Sequence, residues 1–192
     1  MIREKYFEAK YTDRFTGNNV LTKLFPELSE GVGQKVQAPH LSLELTQSDR
    51  TVAPGSRISL VARIELPTDV HVYAPGVTGY KPIQLVMNPS PEIQLIPPVY
   101  PAAKSLYLAA IKETVPVFEG KFQIVADLKI AASPEVMKSL GENGKTITVT
   151  GQLNYQACNK TVCFLPMSAP LSWQLEIVPL DHQRSPEAIR HK

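Results

Sequence analysis

From about residue 39 onwards, the sequence alternates apolar and polar side chains with a period of two. Leu41, Leu43 and Leu45 alternate with polar residues, and the stretch 57–66 repeats the pattern. Successive side chains of a β-strand point to opposite faces, so this period is typical of strands with one buried face. The 17 prolines favour many short strands joined by turns over long helices. The sequence therefore predicts an all-β domain.

The alternation divides into about eight or nine short strands. They are predicted at 41–46, 57–66, 70–74, 83–87, 92–96, 113–118, Lys121–Ile130, 146–155 and 171–178. Glu119-Gly120 is predicted to be a hairpin-type turn, and Pro134–Leu140 a helix of one or two turns. Since strands and helices do not alternate regularly, we expect an immunoglobulin-like β-sandwich, with a closed barrel as the alternative.

Residues 1–35 differ from the rest of the chain. Ile2, Tyr6 and Phe7 partly follow helical spacing, and Gly31-Val32-Gly33-Gln34 has the composition of a linker. We therefore predict a helical lead-in and linker at 1–35, a β-sandwich at 36–180 and a polar tail at 181–192. A lead-in of this kind suits the end of a preceding thioredoxin-like or redoxin domain in a longer fusion protein.

Composition and motifs exclude several classes of function. The formal charge is only +2 and no basic run is dense, which argues against nucleic-acid binding. No apolar run approaches the roughly 18 residues that span a bilayer, so direct membrane insertion is not expected. No hydrolase triad, P-loop or dinucleotide fingerprint is present, and no cofactor is predicted. The charged N-terminus lacks the apolar core of a secretory signal, which taken alone favours a cytosolic protein. Because the sequence begins abruptly inside a helix-like pattern, we expect instead a mature form or an excised domain.

The two cysteines, Cys158 and Cys163, are separated by only four residues. Such a pair indicates a disulfide, a redox couple or half of a metal site. If the flanking strands pair, the two Cα atoms are expected about 4.5–5.5 Å apart, which a disulfide accepts. A disulfide that closes so short a loop adds only about 2 kcal/mol, and an exposed bridge is open to an attacking thiolate. Spacing alone leaves structural and redox-active disulfides both open.

Neighbouring side chains give further expectations. Lys160 would favour a thiolate if its ammonium group folded back towards the sulfurs. We expect Cys158 to be the more exposed cysteine and Cys163 to be drawn into the hairpin arm. His71 is expected to be a hydrogen-bonded sheet residue, and Trp173 a core residue between sheets. A metal site is not predicted, because structural zinc requires four ligands and no second cysteine pair exists.

The sequence around the cysteines resembles a known family. The matching segments are Tyr155-Gln156-Ala157-Cys158, Cys163-Phe164-Leu165-Pro166, and Asp69-Val70-His71-Val72-Tyr73-Ala74-Pro75 ahead of Pro82-Ile83-Gln84-Leu85. They resemble the N-terminal periplasmic domain of thiol:disulfide interchange proteins of the DsbD type, over roughly residues 39–180. The resemblance implies an immunoglobulin-like sandwich whose cysteine pair receives electrons from a thioredoxin-like domain and passes them to periplasmic partners.

The same resemblance assigns expected roles to individual residues. Cys158 and Cys163 would be the exchanging thiols. The loop 75–80 would form a cap that shields the disulfide until a partner docks, with Tyr80 as the first candidate for the covering aromatic and Tyr73 as the second. The residues expected to support the hairpin are Tyr155, Lys160, Phe164 and Pro166. Since the loop 75–80 contains no acidic residue, no proton-transfer role is assigned to it.

Two functions follow from these observations. The resemblance implies a thiol–disulfide exchange module, a protein-disulfide reductase-type oxidoreductase that works with thioredoxin-like partners in the periplasm or another extracytoplasmic compartment. The alternative is a non-enzymatic immunoglobulin-like binding domain with a structural disulfide. The alternative predicts a reduction potential below roughly −300 mV, out of reach of thioredoxin.

Overall fold

A computed structural model describes residues 33–108 and 112–179 of the chain. This part contains thirteen strands and one helix. The strands are β1 (Gln34–Val36), β2 (Ser42–Gln47), β3 (Thr51–Val52), β4 (Arg57–Glu65), β5 (His71–Tyr73), β6 (Gln84–Met87), β7 (Ile93–Leu95), β8 (Lys104–Leu108), β9 (Glu113–Glu119), β10 (Lys121–Ile130), β11 (Lys145–Tyr155), β12 (Ala157–Cys158) and β13 (Met167–Ile177), and the helix is α1 (Pro134–Leu140).

The chain divides into two units, Met1–Gln34 and Lys35–Lys192. Most of the predicted helical lead-in and the whole polar tail lie outside the described residues. Within the predicted linker, Gln34 already belongs to strand β1.

The described strands form three sheets. The first sheet has the order β1-β2-β4-β10-β7, and the second has the order β3-β13-β11-β6. The third, which we call the site sheet because it carries one of the cysteines, has the order β12-β5-β9-β8. The mostly antiparallel pairing and the predominance of strands confirm the all-β prediction.

The first two sheets face each other across one apolar core. Leu60 and Leu128 of the first sheet and Leu153 and Leu175 of the second are fully buried within it. Trp173 is buried as predicted, and its indole Nε1 donates to the backbone carbonyl of Thr46, at 3.1 Å, in the opposite sheet. The architecture is therefore a β-sandwich whose inner faces supply the hydrophobic core.

The site sheet has two apolar faces with different surroundings. One face joins the main core through Val72, Phe118 and Ala157. The other face forms a separate cluster, the site cluster, of Tyr73, Val115, Val117 and Cys158. Since alternate residues of a strand point to opposite faces, β5 contributes its middle residue to the core and its end residues to the site.

At Gly120 the chain bends and passes from the site sheet into the first sheet. β9 pairs with β5 and β8, whereas β10 pairs with β4 and β7, so β9 and β10 are not paired with each other. The backbone N–H of Leu66 donates to the carbonyl of Gly120 at 2.9 Å, and the pairing continues past the bend. The predicted hairpin at Glu119-Gly120 is therefore wrong, because alternation looks the same in a bent strand as in two hairpin arms.

The other predicted elements agree with the structure except at a few boundaries. The helix is confirmed, and the hydroxyl of Ser133 caps it by accepting from Val136 N. Strand β13 begins at Met167, four positions before the predicted start, because its pairing with β11 continues through Pro170. Strand β8 was not predicted. Its side chains are mostly exposed, which weakens the alternation.

Replacing Gly120 with alanine is expected to lower the free energy of unfolding by about 1–2 kcal/mol, because Gly120 has φ +65° and a Cβ disfavours that conformation. In the described part of the chain, no heavy atom beyond the adjacent residues lies within 4 Å of the added Cβ, so a clash is not the cause. Gly120→Asn is the matched control and should lose less, since asparagine tolerates left-handed backbone. Urea unfolding followed by tryptophan fluorescence measures both, and equal losses would contradict this explanation.

Candidate functional site

Cys158 and Cys163 form a disulfide, with their Cα atoms 4.0 Å apart. The pairing of β11 with β13 ends at Tyr155 and Met167, and the cysteines lie beyond it in a smaller hairpin. There they face each other as an isolated antiparallel bridge. The two sulfurs are therefore bonded as expected, but the Cα atoms lie closer together than the strand geometry predicts.

The turn between the cysteines is held by Asn159. Its side-chain oxygen accepts hydrogen bonds from the backbone N–H groups of Thr161 and Val162, at 2.9 and 2.8 Å. Its own N–H donates to the carbonyl of Val162 at 2.9 Å. An asparagine that satisfies neighbouring backbone groups in this way stabilises a tight turn without help from the sandwich.

The two sulfurs differ in their exposure to solvent. Cys158 is 1% exposed because β12 pairs with β5, which places Cys158 directly opposite His71. Cys163, on the outer arm of the hairpin, is exposed. This reverses the expectation that Cys158 is the more exposed cysteine. The sequence could not show it, because the burial of Cys158 depends on a strand that is distant in the chain.

Two stacked tyrosines lie against the disulfide. The hydroxyl of Tyr73 is 3.9 Å from Sγ of Cys163, and burial raises the pKa of Tyr73. The ring of Tyr80 stacks on that of Tyr73, with centroids 4.4 Å apart. The hydroxyl of Tyr80 donates to a carboxylate oxygen of Glu113 at 2.8 Å, which raises the pKa of Tyr80. Tyr73 therefore contacts the sulfur, and Tyr80 lies behind it, the reverse of their expected order.

Apolar residues that the sequence analysis missed pack against the site cluster. Val77 from the loop 75–80 and Leu106 and Leu108 from β8 are partly buried there. Every second residue of β8 points to the cluster, so a closer reading of the alternation Leu106-Tyr107-Leu108 could have found them. The apolar cover near the disulfide therefore comes from two segments, not from the loop 75–80 alone.

Lys160 does not fold back towards the sulfurs. Its ammonium group lies 2.7 Å from a carboxylate oxygen of Asp69, and both side chains are largely exposed. The hydrogen bond to Asp69 raises the pKa of Lys160. The condition for the expected effect of Lys160 on a thiolate is therefore not met in this structure. The ion pair instead connects the turn between the cysteines to the turn before β5.

The other residues predicted to support the hairpin, Tyr155, Phe164 and Pro166, lie at its base. Tyr155 is buried, and its hydroxyl donates to the carbonyl of Pro39 at 2.7 Å. The ring of Phe164 stacks on that of His40, with centroids 3.9 Å apart. Pro166 is exposed and lines a groove of about 590 Å³ with Tyr80. These contacts orient the hairpin but do not bring a reactive group to the disulfide.

His71 is a sheet residue as predicted, but the predicted hydrogen bond is missing at one ring nitrogen. The residue is 4% exposed, and its buried Nε2 has no hydrogen-bond partner among the described residues. Across the site sheet, His71 lies opposite Cys158 on one side and Glu119 on the other. Burial lowers the pKa of His71, and the charge of Glu119 opposes this effect. The imidazole is therefore neutral at neutral pH.

Metal sites and membrane-spanning helices are both absent from the described ranges 33–108 and 112–179. No group of three or more His, Cys, Asp or Glu side chains is placed to hold a metal ion there. No helix in these ranges has the length and apolar character needed to cross a membrane.

The lowered pKa of His71 predicts a pH-dependent stability. In the unfolded chain, His71 takes up a proton below about pH 6.5, whereas in the folded chain it does so only at a lower pH. The free energy of unfolding should therefore fall as the pH drops from 6.5 through the pKa of His71 in the folded protein. In His71→Gln this contribution should disappear. Urea unfolding at pH 7.5 and pH 5 in both proteins measures it. An identical pH dependence in the variant would show that His71 does not titrate as its burial requires.

Comparison with known proteins relates this site to a family. The sequence matches the family described as thiol:disulfide interchange protein DsbD, N-terminal, over residues 42–172. A search of curated proteins found no match. One similar solved structure is the N-terminal periplasmic domain of ScsB from Proteus mirabilis, with 12% sequence identity and a TM-score of 0.47. The match covers 74% of this chain and 49% of the ScsB chain, so this chain spans about half the length of that protein. Because the family match covers more than half of the sequence, the chain belongs to the DsbD N-terminal domain family, whose immunoglobulin-like sandwiches serve in thiol–disulfide exchange.

Proposed function

We propose that this domain passes electrons from a thioredoxin-like donor to extracytoplasmic partner proteins through the Cys158–Cys163 pair, as a protein-disulfide reductase-type oxidoreductase. The observation that carries the proposal is the unequal exposure of the two sulfurs. Cys163 is open to an incoming thiolate, whereas Cys158 is buried beside it. A disulfide that serves stability alone does not require one sulfur at the surface.

This asymmetry sets an order for the chemistry. A donor thiolate attacks Sγ of Cys163, the Cys158–Cys163 bond breaks, and its electron pair goes to the sulfur of Cys158, which takes up a proton. A second thiol of the donor then attacks the donor sulfur of the mixed disulfide and releases Cys163. The donor leaves as a disulfide, and the domain holds two thiols. The same steps in reverse reduce a disulfide of the next partner.

The surface around Cys163 suits a protein partner. Val162 and Leu165 flank Cys163 in sequence, and they are 52% and 81% exposed. Exposed apolar side chains on both sides of a reactive sulfur favour docking of a partner that presents apolar surface around its own thiol. We propose that Val162 and Leu165 form the centre of this docking surface.

The tyrosine pair would then control access to the sulfur from the opposite side. Tyr73 contacts Sγ of Cys163, and the ring of Tyr80 stacks on it. The hydroxyl of Tyr80 in turn donates to Glu113, which holds Tyr80 in place. In this proposal, the loop 75–80 and strand β8 cover the buried sulfur of Cys158 and leave the sulfur of Cys163 accessible. A docked partner reaches Cys163 from the exposed face of the hairpin.

An extracytoplasmic location is part of the proposal. The cysteines are paired as a disulfide, and disulfides persist in oxidising compartments and are rare in the cytosol. Membership of the interchange-protein family supports the same placement.

Trapping a mixed disulfide tests which cysteine bonds to the partner. We expect Cys158→Ser, which keeps the exposed thiol of Cys163, to form a mixed disulfide with a thioredoxin that retains one active-site cysteine, activated with thionitrobenzoate. Cys163→Ser, which keeps only the buried thiol, should form little complex. Non-reducing electrophoresis and release of the yellow leaving group measure both. Trapping by neither variant would contradict the exchange function, and trapping by Cys163→Ser alone would contradict the order of attack.

The docking surface is tested in the Cys158→Ser background. Adding Leu165→Asp should slow trapping of the thioredoxin, because a charge replaces the most exposed apolar contact. The matched control is Leu95→Asp, since Leu95 is 39% exposed on β7 and lies outside the site sheet. Equal slowing by both variants would mean that Leu165 has no special part in docking.

A further inference from the structure

Three residues lie in one row across the site sheet. Cys158 of β12 is directly opposite His71 of β5, and His71 is directly opposite Glu119 of β9. Directly opposed residues of antiparallel strands project from the same face, with Cβ atoms about 4.5–5.5 Å apart. The register therefore places His71 between Cys158 and Glu119 on one face of the site sheet.

The imidazole is enclosed, and one nitrogen lacks a partner. His71 is 4% exposed, and its Nε2 has no hydrogen-bond partner among the described residues. The ring packs edge-on against Tyr73, with centroids 5.6 Å apart. In the oxidised protein, the sulfur of Cys158 is bonded to Cys163 and has no proton to share. His71 therefore offers a buried nitrogen, without a partner among the described residues, on the residue directly opposite Cys158.

We propose that His71 accepts the proton of the Cys158 thiol when Cys158 closes the disulfide. When the disulfide opens, His71 takes a proton from solvent or from the attacking thiol and passes it to the sulfur of Cys158. This inference rests on the proposed exchange function and adds a proton-transfer residue to it. Cys158 needs such a residue because burial in apolar surroundings favours the protonated thiol, which is not the nucleophile. Cys163 does not need one, since its thiol exchanges protons with water.

The closing step begins with Cys163 joined to a partner sulfur in a mixed disulfide, while the sulfur of Cys158 carries a proton. The proton moves from the sulfur of Cys158 to His71, and the resulting thiolate attacks Sγ of Cys163. The Cys158–Cys163 bond forms, the bond from Cys163 to the partner breaks, and the electron pair leaves on the partner sulfur as a thiolate. His71 then returns its proton to solvent or to that thiolate.

Charged and titratable groups lie around His71 on strands β5, β8 and β9. Glu119 of β9 opposes it directly, and Lys104 of β8 lies 3.7 Å from the carboxylate of Glu119. Tyr73 contacts the ring from its own strand. Burial lowers the pKa of His71 while Glu119 raises it, so the imidazole is neutral and able to accept a proton at neutral pH.

The test follows oxidation of the reduced protein by glutathione disulfide, with acid quenching and mass spectrometry to separate reduced, glutathionylated and closed forms. In the wild type, the rate at which the Cys158–Cys163 bond closes should vary little with pH above the pKa of His71. In His71→Leu, formation of the Cys158–Cys163 bond at pH 7 should be about a hundredfold slower, the lower end of the effects of a lost general base, and its rate should rise steeply with pH. The glutathione adduct of Cys163 should then accumulate.

Val115→Ala is the matched control for damage to the site cluster. It removes buried methyl groups beside Cys158 but no titratable group. It should lower stability and keep the wild-type dependence of closure on pH. A His71→Leu protein that closes with the wild-type rate and pH dependence would overturn the proposal.

Glu119→Gln tests the same inference if His71→Leu does not fold, since the side chain of Glu119 is 41% exposed. At low pH, protonation of His71 should slow formation of the Cys158–Cys163 bond. Loss of the charge of Glu119 should move this slowing to lower pH, because Glu119 raises the pKa of His71. Slowing at an unchanged pH would count against His71. If the wild type forms neither the glutathione adduct nor the closed form, the exchange function itself fails, whereas unaltered variants of an active wild type remove only the role of His71.

Discussion

The pairing of β12 with β5 is the constraint on which the rest of the site depends. This two-residue strand holds Cys158 against the site sheet, and the disulfide then fixes Cys163 at the outer arm of the hairpin. One sulfur is thereby exposed to partners and the other is kept among apolar side chains and His71. The proposed order of attack, proton acceptor and docking surface all rest on this asymmetry.

The fold separates the chemistry from the core that supports it. One face of the site sheet packs into the main core through Val72 and Phe118, which holds β5 and β9 in position. The opposite face carries Tyr73 and His71, polar groups that the main core would not accommodate without partners. A site built on paired strands keeps its geometry better than one built on loops alone. The hairpin adds only a short turn, which Asn159 stabilises locally.

Local patterns predicted most of the fold, and long-range contacts account for most of the errors. The period of two placed β4, β10 and β11 almost to the residue, because half-buried strands impose it directly. The same period could not distinguish a hairpin from the bend at Gly120, since both leave the alternation unbroken. The cysteine pair was identified from its spacing. Which sulfur is buried was not, because it depends on the pairing of Cys158 with His71 in a distant strand.

The cover of the disulfide shows the same limit. The family resemblance predicts Tyr73 and Tyr80 as covering aromatics, and both lie at the site. Leu106 and Leu108 were missed because β8 is mostly exposed and its register against β9 is not encoded in its own sequence. Lys160 was placed near the sulfurs by sequence proximity, whereas its charge is drawn to Asp69 by the fold. Residues adjacent in sequence need not be adjacent in the site.

The reduction potential of the Cys158–Cys163 pair tests the central claim most directly. It can be measured by equilibrating the protein with thioredoxin and quantifying the reduced and oxidised forms. An exposed, exchangeable disulfide should be measurably reduced at equilibrium, with a potential near or above the roughly −270 mV of thioredoxin. A potential below about −300 mV, with the disulfide left intact by thioredoxin, would show that the bond is a structural staple and that the domain does not carry electrons.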